Sequence, residues 1–374
     1  MSGRGNNREQ RSGWAGRVVL VCILALVAAA VWLLYALFAP YQGFPGDGVF
    51  VEVPRGAPQR AIARLLEEKG VVRSRIAFEA LCRWRPRRAL QAGEYFFDRP
   101  RTALEVFQII AEGRVYMRSV TVPEGLTMLD IADLVEREEL CHREDFLAAA
   151  RDPSLVHDLA PRVRNLEGFL FPATYEFPRR VTAQEIVGAM VKRFREVWSS
   201  FPEAGRNPHG LSALEVVTMA SLVERETGVA DERPVVAGVF YNRLRRGVAL
   251  QCDPTVIYAL RLANRYDGAL DEKDLAFKSP YNTYRHRGLP PGPIANPGAA
   301  SLRAVLHPPY VDYLYFVSNT QGGHFFSKTL EEHNGNVARY RRLLAEIARA
   351  EAQRTHEKLS AAPPTKAPRT HTPQ

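Results

Sequence analysis

The chain has 374 residues, 46% of them apolar and 24% charged, with a net charge of +9. That length allows two or three domains with their own cores, and the composition excludes a disordered or fibrous chain. The basic balance invites nucleic acid as a partner, but the first segment of the chain argues against it by carrying the remainder across a membrane, where an acidic envelope polymer or a membrane surface suits a basic domain better.

That segment runs uncharged from Val18 to Phe38, long enough to span a bilayer as a helix. Trp14, Trp32 and Tyr35 lie towards its ends, where interfacial aromatics are favoured. Arg4, Arg8, Arg11 and Arg17 precede it against Glu9 alone, and no Lys or Arg follows until Arg55. The positive-inside rule therefore places residues 1–17 in the cytoplasm and everything beyond the span outside the inner (plasma) membrane, as a single-pass protein. A cleaved signal peptide is the competing reading, although its apolar region is normally ~7–15 residues. Of the four cysteines, Cys22 falls in the span. Cys82, Cys141 and Cys252 are odd in number and widely spaced, which is no disulfide framework; at most one bridge can form. The basic run Arg83–Arg88 reads as a solvated loop.

Residues 40–48 form a Pro/Gly connector. A repeat follows. Val51-Glu52-Val53-Pro54-Arg55-Gly56 recurs as Val120-Thr121-Val122-Pro123-Glu124-Gly125, and Ile62-Ala63 with Leu65 recurs at the same offset as Ile131-Ala132 with Leu134. Each copy reads as a strand, a Pro-x-Gly turn and an amphipathic helix. The later halves echo each other as Leu90–Phe96 and Leu166–Phe171. The pattern resembles the LysM-like modules that bind N-acetylated glycans; a spacer holding the next domain off the membrane is the alternative. An amphipathic helix is expected over 181–201, then a loop through Gly210. From Ser212 a nearly all-apolar helix runs to Glu224-Arg225-Glu226. Leu214, Val217, Ser221 and Glu224 share one face of it, while Glu226 lies roughly 200° around. Further helices are expected from near Asp231 and from Asp253, where Asp as N-cap and Pro as the first helical residue make a start signal. Residues 277–298 read as loop. Tyr313–Val317 and Gly322–Phe326 read as a hairpin, 336–353 as a charged helix, and the Pro/Thr/Lys-rich tail from Arg354 as disordered.

A Gly-rich phosphate loop, a Gly-x-Ser-x-Gly elbow and a His-Glu-x-x-His pair are all missing from the sequence, and the His residues lack metal-ligand spacing. His324 and His333 read as structural hydrogen-bonders. Polar density collects at Glu224–Thr227, at Asn242-Arg243-Leu244 with Gln251–Thr255, and at Ser279–Tyr284 leading into the Pro/Gly-dense Gly288–Gly298. A rigid loop beside Tyr and Asn suits sugar binding; a buried tyrosine corner is the alternative. A carboxyl on the buried face of a helix is costly unless paired or protonated, which makes Glu224 the candidate acid. Glu226 is its rival, with a surface position or an ion pair to Arg243 or Arg233 as the bland role. Asp253 is either a second carboxylate or the helix cap.

These segments, Val223–Thr227, Val239–Leu244, Leu250–Tyr258, Ser279–Tyr284 and Gly288–Ile294, resemble the endolytic murein transglycosylases of the YceG-like family in order and spacing over about residues 119–350. Cys252 departs from the family pattern, where a small polar residue is usual, and so does the Pro-rich tail. The resemblance implies an α+β protein: a membrane anchor at 18–38, LysM-like modules at 39–118 and 119–180, a mixed α/β catalytic domain at 181–352, and a tail at 353–374. It implies cleavage inside peptidoglycan strands at the β-1,4 bond from N-acetylmuramic acid to N-acetylglucosamine. The products carry 1,6-anhydro ends, strand elongation is terminated, and no metal or cofactor is needed. It places the catalytic acid at Glu224, with Asn242, Gln251, Asp253, Tyr281, Asn282 and Tyr284 binding substrate or supporting the site, and suggests peptidoglycan synthases as partners. A catalytically dead glycan-binding scaffold is the alternative from another class.

Overall fold

The computed structural model describes residues 6–85, 88–202 and 210–360. The centre of the basic run at 86–87, most of the loop after Phe201, the start of the N-terminal tail and the tail from 361 lie outside the described residues. The fold mixes helices with two-stranded sheets. The first helix, α1 (Asn6–Phe38), leaves most of its large apolar side chains exposed from Val18 to Phe38. Its stretch Arg17–Phe38 is, among the described residues, the one helix long and apolar enough to cross a membrane.

The chain divides into two compact units: residues 1–119 with 176–180, and residues 120–175 with 181–374. The first unit continues with β1 (Val49–Val53), α2 (Gln59–Glu68), α3 (Arg75–Trp84), β2 (Gly93–Phe97) and α4 (Ala103–Ala111). β1 and β2 pair antiparallel with Val51 opposite Tyr95. Val51 and Val53 are buried and Glu52 exposed, as the period of two requires. Ile62 and Leu66 of α2, Phe78 of α3 and Phe107 of α4 close the core over that sheet. A reciprocal cap between Thr102 and Glu105 starts α4.

The second unit opens on the repeated pattern, with β3 (Arg118–Thr121), α5 (Met128–Arg137), α6 (Arg143–Ala150) and β4 (Thr174–Phe177). The two copies match in detail. Gly56 and Gly125 turn with φ of 74° and 78°, a left-handed conformation that favours glycine, and Ile62-Ala63 and Ile131-Ala132 are both buried. The return strand of the second copy is Thr174–Phe177, and Leu166–Phe171 is a buried turn before it. The hydroxyls of Tyr95 and Tyr175 each donate to the carbonyl four residues earlier, on Gln91 and Phe171.

Residues 120–175 share a unit with the elements after 180, and a buried carboxyl ties them to those elements. Glu167, 1% exposed, accepts from Met128 N at 3.0 and 3.1 Å, from Tyr258 OH at 3.1 Å and from Asn296 Nδ2 at 2.9 Å. The rest of the unit is α7 (Ala183–Ser199), α8 (Ala213–Glu226), α9 (Arg233–Arg245), α10 (Asp253–Leu262), α11 (Ala299–Leu306), β5 (Tyr315–Ser318), β6 (His324–Ser327) and α12 (Leu330–Ser360). α11 packs on α8 and α9, and β5 pairs antiparallel with β6, Tyr315 opposite Ser327. Two boundaries differ from expectation. α12 starts at Leu330 and continues past Gln353 to Ser360. The N-cap of α10 is Cys252, so Asp253 is its first helical residue and makes no side-chain cap.

Glu167→Ala orphans the Met128 amide, the Tyr258 hydroxyl and the Asn296 amide together, and is expected to cost about 3 kcal/mol or more, measured by chemical denaturation. Burial lifts the folded Glu167 carboxyl from 4.5 to about 8. The folded state therefore holds a proton that the unfolded chain has lost, and stability is expected to fall as pH rises between those values.

Candidate active site

α8 is entered through a reciprocal cap, Ser212 with Glu215, and is buried without a break from Val216 to Val223. Its end carries the two rival carboxyls. Glu224, with 4% of its side chain exposed, faces Arg233 Nη2 at 3.1 Å through Oε1. Its Oε2 accepts from Gly298 N at 2.9 Å and Ser301 Oγ at 2.8 Å. Arg233 also lies 3.7 Å from Glu124. A Cβ on Gly298 would fall 1.8 Å from Glu124 Oε1, so a larger residue there would have to displace the Glu124 side chain. Burial and the Glu224 charge push the Glu124 carboxyl above its ordinary value, against the pull of Arg233. Glu224 is thus fully committed to joining α8, α9 and α11.

Glu226 opens onto a cavity of about 580 Å³, which Glu224 does not line. The walls include Gln251, Asp253, Tyr284, Arg243, Tyr315, His324 and His333. Glu226 Oε2 accepts from Cys252 Sγ at 3.2 Å, and neither Arg233 nor Arg243 pairs with it. Burial pushes its carboxyl up to about 7 against that thiol hydrogen bond, with the Asp253 charge adding to the rise. The negative end of the helix dipole acts in the same direction. Asp253 accepts from the Tyr284 hydroxyl. Gln251 sits at φ 51°, a strained position for a residue with a side chain, and takes a hydrogen bond from Arg243 at 2.6 Å. His324 Nδ1 lies 2.7 Å from Glu232, whose other oxygen accepts the His324 amide at 2.8 Å. A larger hollow of about 800 Å³ lies beside Leu211–Thr218 and Pro290-Pro291, but its carboxylate, Glu215, is committed to the cap of α8.

Of the residues singled out in the sequence, Gln251, Asp253 and Tyr284 line the cavity with Glu226. The others are held away from it. Asn242 donates to the carbonyls of Val311 and Tyr313 at 2.7 and 2.9 Å, fixing the approach to β5. Asn282 is fully buried and bonds the carbonyls of Leu275 and Phe277. Tyr281 packs edge-on against Tyr258 at 5.0 Å. The loop Gly292–Gly298 is buried, with Ile294 N bonded to Ser221 Oγ of α8 at 3.0 Å. Arg243, Tyr315, His333 and Asn334 join the cavity without having been singled out as site residues; Arg243 stood inside a quoted motif, while the others carry no local signal. Among the described residues no group of three His, Cys, Asp or Glu converges as metal ligands.

The fold mixes helices with short sheets, and its polar cavity holds a raised carboxyl at a buried helix end. The model of the YceG-like family matches residues 51–339, and the chain belongs to that family. It is 34% identical over 321 residues to a Bacillus subtilis (strain 168) protein named endolytic murein transglycosylase, a match covering 82% of this chain and 88% of that one. A Streptococcus pneumoniae (serotype 2, strain D39) protein of the same name is 30% identical over 357 residues, covering 86% of this chain and 64% of its own length. A crystal structure of a YceG-like protein from Listeria monocytogenes superposes with a TM-score of 0.53 at 34% identity, covering 78% of this chain and 99% of the other.

The raised Glu226 carboxyl has a stability consequence. An unfolded Glu ionises near 4.5, whereas the folded one resists until about 7, so keeping it costs progressively more as pH rises through that window. Glu226→Gln, which carries no charge, is expected to stabilise the protein by about 3 kcal/mol at pH 8 and by about 1 kcal/mol or less at pH 5, read from melting curves at the two pH values.

Proposed function

We propose that the chain is a membrane-anchored lytic transglycosylase. It cleaves peptidoglycan strands internally at the β-1,4 bond from N-acetylmuramic acid to N-acetylglucosamine, with Glu226 as the acid. The observation that carries this reading is that Glu226, unlike Glu224, faces an open cavity, has no cationic partner and keeps its proton to about pH 7. The names of the relatives supply the substrate class. Protonated Glu226 donates to the glycosidic oxygen as the bond from C1 breaks. Its carboxylate then takes the proton of the muramyl 6-hydroxyl, whose oxygen closes onto C1. No water enters, so the product is a 1,6-anhydro end and one carboxyl serves both steps. A glycosidase that activates water needs two. Asn242, Tyr281 and Asn282 hold the walls in place, while Gln251, Asp253 and Tyr284 face the sugar.

α1 anchors the chain with its N-terminus inside, and the exposed apolar face from Val18 to Phe38 supports this. The strand–helix–helix–strand order of both repeats supports LysM-like glycan-binding modules that feed nascent strands to the site and so terminate their elongation. Peptidoglycan synthases are the partners such a placement suits. Asp253 supports one second reading, hydrolysis, because it shares the cavity with Glu226.

Mass spectrometry of digested sacculi separates the two, since each anhydro end is one water lighter than a reducing end; reducing ends alone would replace lysis by hydrolysis. Glu226→Gln is expected to lower turnover about 10²–10⁴-fold with the fold intact, and Glu224→Gln to act through stability instead. Full activity in Glu226→Gln would return the acid to Glu224, and no turnover by the wild type would support an inert scaffold. Turnover is expected to fall above about pH 7 as Glu226 ionises. Cys252→Ala removes a hydrogen bond that favours the carboxylate and is expected to move that limb to higher pH.

A further inference from the structure

We propose that Arg243 forms a carboxylate-binding subsite that recognises the muramyl residue of the substrate. Arg243 leaves α9 for the cavity and is 7% exposed. Its Nη2 donates to the neutral oxygen of Gln251 at 2.6 Å, and its guanidinium lies 5.3 Å from the Tyr315 ring. Its Nε has no hydrogen-bond partner, and among the described residues no carboxylate comes within the 4.0 Å of an ion pair. Three other partly buried arginines have a counter-ion, with Arg233 facing Glu224, Arg261 facing Asp130 and Arg179 facing Glu94, while Arg73 is covered instead by the rings of Tyr35 and Tyr41. Buried charges are paired as a rule, because desolvation without a counter-ion is costly. A guanidinium that is desolvated, unpaired and set in a cavity wall therefore waits for an anion from outside. Burial makes its charged form harder to keep. His333, stacked at 5.2 Å on the same Tyr315 ring, is lowered by burial and by the Arg243 charge.

This inference rests on the function proposed above. In that substrate the muramyl sugar alone carries a carboxyl, either the free lactyl carboxylate of a peptide-free unit or a carboxylate of the stem peptide. A planar guanidinium receives either one bidentately. The contact sets the register of the strand, deciding which sugar presents its C1 to Glu226, and it excludes uncharged β-1,4 glycans.

The test is titration calorimetry on the full chain carrying Glu226→Gln, with and without Arg243→Gln or Arg243→Lys. Three ligands are compared: peptide-bearing glycan fragments, peptide-free muramyl fragments and neutral chitooligosaccharides. Arg243→Gln is expected to weaken muramyl ligands about 10–100-fold and leave chitooligosaccharides unchanged, with Arg243→Lys in between. Loss confined to peptide-free fragments assigns the lactyl carboxylate, and loss confined to peptide-bearing ones assigns the stem. Equal weakening of all three ligands, or none, overturns the subsite. If the wild type cleaves no glycan, the proposed reaction fails, while the ligand discrimination still reports on Arg243.

Discussion

A helix enclosed on every side must end somewhere, and α8 ends inside the fold with two carboxyls on its last turn. The last turn of any helix already leaves carbonyls without partners, so adding carboxylates there is doubly unfavourable. Glu224 meets the problem by full satisfaction: a guanidinium, a backbone amide and a hydroxyl surround it. Those three partners come from the starts of α9 and α11, so the same contacts hold both helices to α8, and α9 in turn supplies Arg243 to the cavity wall. At Glu226 burial instead raises the carboxyl to about 7. Two identical side chains on one helix turn thus acquire opposite roles from their surroundings alone.

The second constraint is the passage of the Pro/Gly-dense loop through the interior. A buried loop must find partners for its backbone, and here Asn296 supplies most of them. Its side chain takes Leu170 N and gives to Leu126 O and Glu167, and its own backbone bonds Gly125 and Leu126. Ser221 adds a tie from α8 to Ile294. The stretch is therefore scaffold from Gly292 onward, and it delivers Gly298 to Glu224. Its glycines and prolines serve close approach and a fixed path rather than contact with a ligand.

Much of this was legible in the sequence. Helical phase placed Glu224 on the buried face of α8 and Glu226 roughly 200° away, and the structure has both. Apolar periodicity placed α7 and α8, which the structure starts at Ala183 and Ala213 behind capping boxes at Thr182 and Ser212. The repeat was visible because its turn glycines sit at matching positions. What phase cannot say is what lies opposite a buried carboxyl. Ser301 and Gly298 reach Glu224 from far along the chain, and Cys252 reaches Glu226 from another helix start. Burial was readable and satisfaction was not, so phase alone does not tell which of the two carboxyls has its partners. Asp253 was misplaced for a smaller reason: with Pro254 at the second helical position, the cap falls one residue earlier, on Cys252.

The cavity holds a carboxyl raised by burial and a guanidinium that has no carboxylate partner. Folding alone would bring them together, since an ion pair offsets part of the desolvation of both. The chain keeps them apart. Arg233 is drawn to Glu224, and Arg243 is turned to Gln251, which holds a strained backbone to receive it. A cation beside Glu226 would pull its carboxyl down and leave it ionised at neutral pH; the nearest charge acting on it is instead that of Asp253, which pushes it up. Two uncompensated groups and a strained residue in one pocket cost stability that only a bound ligand returns, and local rules broken together in this way mark where a fold has been shaped for chemistry.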